Sequence, residues 1–187
     1  MPLIFHAPAD LEAAFTPANI SIESLIEVLN SGVTSLGSSA FKVDSSDPED
    51  RQIELSISGS KFERDILSTN VIGFSLRINN SYLCLSHVSN LKPLQVYEAA
   101  SGDHDCDGAD AVPGPIWEWI NGLNEELSST KLIVADIGDN EPDLRLCLLR
   151  EIYFGQCILH SAFLGEISEF VDHLAFMFDK IEEVIGD

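Results

Sequence analysis

The segment FLGEISEFVDHLAFMFDKIEEVI, residues 163–185, constrains the fold more firmly than any other part of the chain. Its main apolar line is spaced four and three residues apart, as on one face of a helix, and a second line runs beside it. The first line is Phe163, Ile167, Phe170, Leu174, Met177, Ile181 and Val184, and the second is Leu164, Val171, Phe178 and Ile185. A narrow stripe is typical of a coiled coil, but this wide one favours packing against a sheet or another helix.

Two earlier segments also have helical periodicity. Ile22 begins an apolar face, with Ser21 in front of it as a cap and Gly32 behind it as a stop. Pro115 suits the first turn of a second helix, whose apolar line ends at Leu127. Helices are therefore predicted before, within and after the strands.

Five segments have the character of strands, most of them with apolar and polar side chains in alternation. They are residues 53–57, 74–78, 82–88, 131–137 and 144–154. Short turns between neighbours, such as Asn79–Asn80, make the pairs antiparallel. The sequence therefore predicts an α+β fold, with helices packed on an antiparallel sheet in the order α-β-β-β-α-β-β-α.

Composition predicts one acidic, well-packed domain. The chain has 187 residues, 45% of them hydrophobic, which suffices for a sizeable core. Its net charge is −21, and its 10 basic residues are scattered along the sequence. Such a field opposes phosphate backbones and anionic lipid headgroups, so we expect neither nucleic acid nor membrane among the partners.

The cysteines and the N-terminus point to a cytoplasmic protein. The four cysteines form no C-x-x-C pair, and Cys84 and Cys147 lie within apolar runs, where a thiol behaves as a small hydrophobic group. The first residues lack the basic start of a signal peptide, and no apolar run is long enough for a membrane span. We therefore expect reduced thiols and a cytoplasmic location.

Signatures of catalysis are absent from the sequence. It has no phosphate-binding loop, no dinucleotide fingerprint, no nucleophile elbow and no H-E-x-x-H motif. Glu169 and His173 are one helical turn apart and could ligate a metal, but their place beside the apolar stripe favours an ion pair or a core-edge histidine. We predict no catalytic residue, no cofactor and no metal ligand; an enzyme whose site is assembled from dispersed residues is a third alternative.

One acidic segment supports a different function. Residues 98–114 have the composition of a loop, and within them Asp103, Asp105 and Asp107 precede Gly108 as in the first half of a calcium loop. The bidentate glutamate of such a loop is missing, because Gly114 occupies its place and Asp110 is only a partial substitute. The alternative function is therefore a calcium-responsive module that uses loop 103–110.

Several segments together resemble a known family. They are WEWINGLNEEL with Asn121 and Asn124, the strand pair KLIVADI and DLRLCLLREIYF, and the closing helix, which is entered through Gly155. In order and spacing they resemble the YbjN family of proposed bacterial sensory transduction regulators, which are similar in fold to type III secretion chaperones. The resemblance implies one domain over residues 21–187 behind an N-terminal extension, residues 1–20, in which we expect a short helix at Asp10–Phe15.

Absent motifs and the family likeness favour a protein-binding module that is not an enzyme. The resemblance implies a chaperone-like or regulatory adaptor of the bacterial cytoplasm, with an unidentified protein partner or a homodimer. Such a module would bury a partner's apolar segment in a groove or at a strand edge. Trp117 and Phe176 lie off the apolar lines of their helices, so each either covers a local apolar patch or lies at an interface. On the protein-binding hypothesis they form the proposed contact surface.

Overall fold

A computed structural model describes residues 13–32, 40–64, 66–67, 70–101, 112, 114–137 and 143–185. The helices within this part of the chain are α1 Ile22–Gly32, α2 Pro93–Ser101, α3 Gly114–Glu126 and α4 His160–Ile185. The strands there are β1 Ala14–Phe15, β2 Ala40–Asp47, β3 Gln52–Ser58, β4 Val71–Asn79, β5 Tyr82–Val88, β6 Thr130–Asp136, β7 Leu144–Tyr153 and β8 Ile158–Leu159.

Six strands form one antiparallel sheet in the order β2-β3-β4-β5-β7-β6. The first four follow one another as hairpins, whereas α2 and α3 lie between β5 and the last pair along the chain. Strand β7 is inserted between β5 and β6, so β6 becomes an edge strand. A separate two-stranded ladder joins β1 to β8, with Ala14 opposite Leu159.

The core lies between the helices and one face of the sheet, which we call the inner face. Alternate residues of β3, β4 and β5 are buried there, as the period of two requires. The main apolar line of α4 is buried from Phe163 to Ile181, and the ring of Phe170 lies 5.5 Å from that of Phe74 on β4. The wide stripe of α4 therefore packs on the sheet and the neighbouring helices.

The predicted α+β class is confirmed, and local signals explain several boundaries. The backbone N–H of Ser24 donates to Oγ of Ser21 at 3.2 Å, which caps α1 as expected. Asn80 adopts a φ of 35° in the hairpin between β4 and β5. The three helices and five strands of the predicted order are present, and the structure adds β2, α2 and the β1–β8 ladder.

Two local predictions are wrong. The helix expected at Asp10–Phe15 is wrong for its described residues, because Ala14–Phe15 form a strand that pairs with β8. Residues 10–12 lie outside the described part of the chain. The start of the loop was predicted too early at Glu98, because Glu98–Ser101 form the last turn of α2. Pairing and packing with distant residues decide both cases, and neither contact is visible in a local window.

The described part of the predicted N-terminal extension contributes to the core. Phe15 is buried, with its ring 5.4 Å from that of Phe163 on α4, and Ile20 is also buried. Residues 13–20 therefore pack on the domain that follows them. The boundary at residue 20 stays a prediction.

Candidate functional site

The acidic loop of the calcium hypothesis, residues 103–110, lies outside the described residues. Its cation binding stays a prediction. Within the described parts of the chain, no group of three His, Cys, Asp or Glu side chains is placed to hold a metal ion.

Glu169 and His173 take part in a polar network at the edge of the core and contact different partners. Glu169 Oε2 accepts from the guanidinium of Arg150 at 2.9 Å, while Nδ1 of His173 lies 2.7 Å from the hydroxyl of Thr130. His173 is half-buried, and burial lowers its pKa. Glu169 therefore forms an ion pair and His173 is a histidine at the edge of the core, the two roles that the sequence favoured over metal binding.

Arg150 is the centre of this network and was missed in the sequence. It lies on the inner face of β7, is 3% exposed, and donates to Glu166 as well as to Glu169. Burial by itself would lower the pKa of Arg150, but the hydrogen bonds to Glu169 and Glu166 outweigh it and raise the pKa. The network joins α4 to the sheet and therefore has a structural role. The one sequence signal for Arg150 is that it occupies an inward-facing position in the alternating pattern of β7.

The two aromatic residues proposed for the contact surface lie on different helices. Trp117 on α3 is 43% exposed, whereas Phe176 on α4 is half-buried against the core. Lys180 covers Phe176, with its Nζ 5.7 Å from the ring centroid. Trp117 is therefore available for contact, whereas much of the Phe176 ring is covered. Trp119, on the same helix as Trp117, packs against the core.

The face of the sheet opposite the helices carries a row of apolar side chains. On strands β5, β7 and β6 the register places Val88 beside Cys147 and Cys147 beside Ile133. Farther along the same face Tyr82 and Tyr153 are paired, with ring centroids 5.3 Å apart. We call this set the outer patch; it comprises Tyr82, Val88, Ile133, Cys147, Leu149 and Tyr153.

Most of the outer patch is open to solvent. Tyr153 is 67% exposed and Ile133 is 38% exposed, and Tyr82 and Val88 are exposed as well. Large apolar side chains that are exposed together, rather than singly, are typical of interaction sites. These residues could not be identified from the sequence, because strand alternation shows that one face is buried but not whether the other is covered.

The outer face differs from the rest of the protein in charge. Strand alternation and register place four cations and four anions on it, so its formal charges balance although the chain carries −21. The cations are Lys42, Arg77, Lys131 and Arg145, and the anions are Asp44, Asp47, Glu54 and Glu151. The excess negative charge therefore belongs to the helices, the turns and the remaining segments.

Both sheet edges have features that discourage the addition of another strand. On β6 the side-chain amide of Asn124 replaces a neighbouring strand: its Oδ1 accepts from Leu132 N at 2.7 Å, and its Nδ2 donates to Leu132 O at 2.9 Å. On β2 the register shifts between Val43 and Ser45, and such a bulge interrupts regular pairing. The outer face is therefore a better contact surface than either edge.

The structure has a solved counterpart of the same fold. A crystal structure of YbjN from E. coli, a proposed transcription regulator, is similar with a TM-score of 0.53 and 11% sequence identity. The match covers 88% of this chain and 90% of the other, which extends the likeness over nearly the whole domain. No family profile and no curated protein sequence matches the chain. At this identity the likeness establishes the fold.

Proposed function

We propose that this chain is a protein-binding module of the regulator or adaptor type, without catalytic activity, and that the outer patch is its contact surface. The observation that carries the proposal is that the helices cover one face of the sheet and leave the other exposed. The helices bury the inner face, while exposed side chains such as Tyr153 and Ile133 remain on the outer face. The regulator-like fold of the YbjN neighbour supports the same class of function.

The composition of the outer patch suits protein contact. Tyrosine combines a large apolar ring with a polar tip, and aromatic residues are enriched at interfaces. Cys147 is almost buried between Val88 and Ile133, so the row offers a continuous apolar surface rather than separate side chains. A partner that covers this row removes apolar area from water at a gain of about 25 cal/mol per Å².

The occupant that the charges fit best is a second copy of this chain. Two molecules of −21 repel one another through most of their surfaces, but the balanced charges of the outer face remove this barrier there. A two-fold axis pairs the outer patch of one copy with the outer patch of the other, so the apolar side chains of each copy are buried against those of its partner. The proposed homodimer is therefore face to face, with the acidic helices outside.

The test is light scattering on the purified full chain over about a hundredfold range of concentration. We expect a dimer that dissociates in two single variants of the patch, Ile133→Asp and Tyr153→Asp. The matched control is Trp117→Asp, which adds the same charge at a residue of similar exposure to Ile133, 43% against 38%. The control should remain dimeric.

Each other outcome has a definite meaning. A wild-type monomer throughout the range would exclude a second copy as the occupant. A dimer that survives both patch variants but dissociates with Trp117→Asp would place the contact on α3, the surface indicated by the sequence.

We also propose the bacterial cytoplasm as its location. Cys84, Cys147 and Cys157 are free thiols, which suits a reducing compartment. Among the described residues, no helix combines the length and the apolar character needed to cross a bilayer. Fractionation of the native host with an antibody against the chain tests the location; recovery in a secreted fraction would contradict it.

A further inference from the structure

The sheet divides in its middle, where β4 and β5 separate. Their register runs from Asn79 opposite Tyr82 to Ser75 opposite Ser86 and ends there. On the outer sides pairing continues, since β3–β4 reaches Val71 and β5–β7 reaches Val88. The first residues of β4 and the last of β5 therefore keep one neighbouring strand each and enclose a gap between them.

A cavity of about 350 Å³ occupies this gap. Val71 and Gly73 line it on the side of β4, and Val88 and Leu91 line it on the side of β5. Phe178 of α4 also lines it, and this residue belongs to the core. Since Val71 and Val88 are exposed and Phe178 is buried, the cavity extends from the outer face into the core.

His87 is the one ionisable side chain among the described residues that line the cavity. It is 8% exposed, and its Nδ1 lies 2.7 Å from the backbone carbonyl oxygen of Gly73. Because a carbonyl oxygen only accepts, Nδ1 carries the hydrogen and Nε2 of the neutral ring is an acceptor. Burial lowers the pKa of His87, which keeps the ring neutral.

The acceptor Nε2 of His87 has no hydrogen-bond partner among the described residues. A buried polar atom without a partner is uncommon in folded proteins and calls for an explanation. A ligand hydroxyl or N–H that reaches Nε2 would supply the missing donor. The remaining described walls expose polar and apolar surface in nearly equal parts, with Ser89 and Asn90 among them, and none of these described side chains carries a full charge. They therefore suit an uncharged ligand that has polar groups beside an apolar body.

We infer that this cavity is a binding site for a neutral small molecule with an apolar body and polar groups, one of which is a hydrogen-bond donor for His87. The volume limits its size: an engineered apolar cavity of roughly 150 Å³ takes up benzene, and this one is somewhat more than twice as large. Two fused aromatic rings or a short branched aliphatic chain fit that volume. The cavity is formed within one chain, but Val88 at its mouth also belongs to the outer patch. The titrations are therefore made on the dimer-breaking Ile133→Asp variant as well as on the wild type, which separates failure of this inference from failure of the proposed dimer.

The experiment is calorimetric titration of the full chain with 2-naphthol and with naphthalene, which lacks the donor. We expect saturable binding at one site per chain, with 2-naphthol about tenfold tighter than naphthalene. Val71→Trp should weaken both ligands at least about tenfold by filling the mouth of the cavity. Its control is Ile137→Trp, at a residue of similar exposure, 47% against 49%, that does not line the cavity.

A second variant isolates the hydrogen bond. His87→Phe should retain naphthalene binding, which also reports that the cavity is intact, and should abolish the preference for 2-naphthol. The inference is overturned if neither ligand binds the wild-type chain up to its solubility limit. It is also overturned if Val71→Trp binds both ligands as the wild type does.

Discussion

Replacing Asn124 tests how the sheet protects its β6 edge. The amide of Asn124 satisfies both backbone groups of Leu132, a fully buried residue of the edge strand. Asn124→Ala removes a donor and an acceptor together and leaves the N–H and C=O of Leu132 without these partners. We therefore expect a less stable domain with a more reactive edge.

The size of the effect follows from the two hydrogen bonds. Each bond contributes about 1 kcal/mol net, so Asn124→Ala should lower the free energy of unfolding by about 2 kcal/mol. In a domain of this size that loss corresponds to a melting temperature lower by about 4 to 8 °C. Asn124→Asp should cost at least as much, because a charged oxygen would then face the carbonyl oxygen of Leu132.

The assay is urea denaturation followed by fluorescence of Trp117 and Trp119, both on the helix that carries Asn124. Asn121→Ala is the matched control, because Asn121 is an exposed residue of the same helix. The control should stay within about 0.5 kcal/mol of the wild type, as surface substitutions usually do. Alanine favours a helix more than asparagine does, so helix propensity alone would stabilise both variants. An equal loss of stability in both would mean that the edge contact of Asn124 is not what is being measured.

Protection of the edge by Asn124 is contradicted if Asn124→Ala unfolds at the wild-type urea concentration with an unchanged slope. Leu132 would then find other partners at no cost. Light scattering on the same variant gives a second measure, because an unprotected edge favours association between chains.

Three further predictions concern the interior, a turn and pH. Arg150→Met should lower the free energy of unfolding by about 2 kcal/mol. This is less than the cost of leaving a buried charge unpaired, because Glu166 and Glu169 are partly exposed and regain water. Wild-type stability of the variant in urea would contradict this prediction. Gly155→Ala should destabilise by about 1 to 2 kcal/mol, because φ is +46° and a Cβ would lie 3.1 Å from the ring of Tyr153. In contrast Gly165→Ala, in open space on α4, should stabilise by about 0.5 to 1 kcal/mol, and calorimetric melting compares the pair. Burial lowers the pKa of His87 in the folded state, so the unfolded chain binds more protons below about pH 6.5 and the free energy of unfolding falls as pH decreases. His87→Gln should make the free energy of unfolding, measured by urea titration, less dependent on pH. Parallel pH dependences for the variant and the wild type would contradict this prediction.

Much of the fold was predictable because its signals are local. The stripe of α4, the cap at Ser21 and the turn at Asn80 each depend on neighbours within a few residues. Strand β2 has no clear alternation, since its polar half, ending in Asp47, is held by pairing with β3. That pairing is a contact between segments, which one short window of sequence does not display.

The candidate site was less predictable from the sequence, because the outer patch is a site only where no helix packs on that face of the sheet. The alternation in β5 and β7 shows that Tyr82 and Tyr153 share a face, but the open state of that face depends on where four helices pack. Charge balance on the outer face likewise requires the register of six strands. Asn124 stood out only through the family resemblance, and its role became clear once β6 proved to be an edge.

The ladder between β1 and β8 has a consequence for how the protein is made. Phe15 enters the core beside α4, so residues near the start of the chain are completed by residues near its end. During synthesis β1 has no partner until every strand of the main sheet has left the ribosome, because β8 follows all of them. Contacts between such distant segments are slow to form, and the acidic charge of the chain helps to keep the waiting intermediate from aggregating.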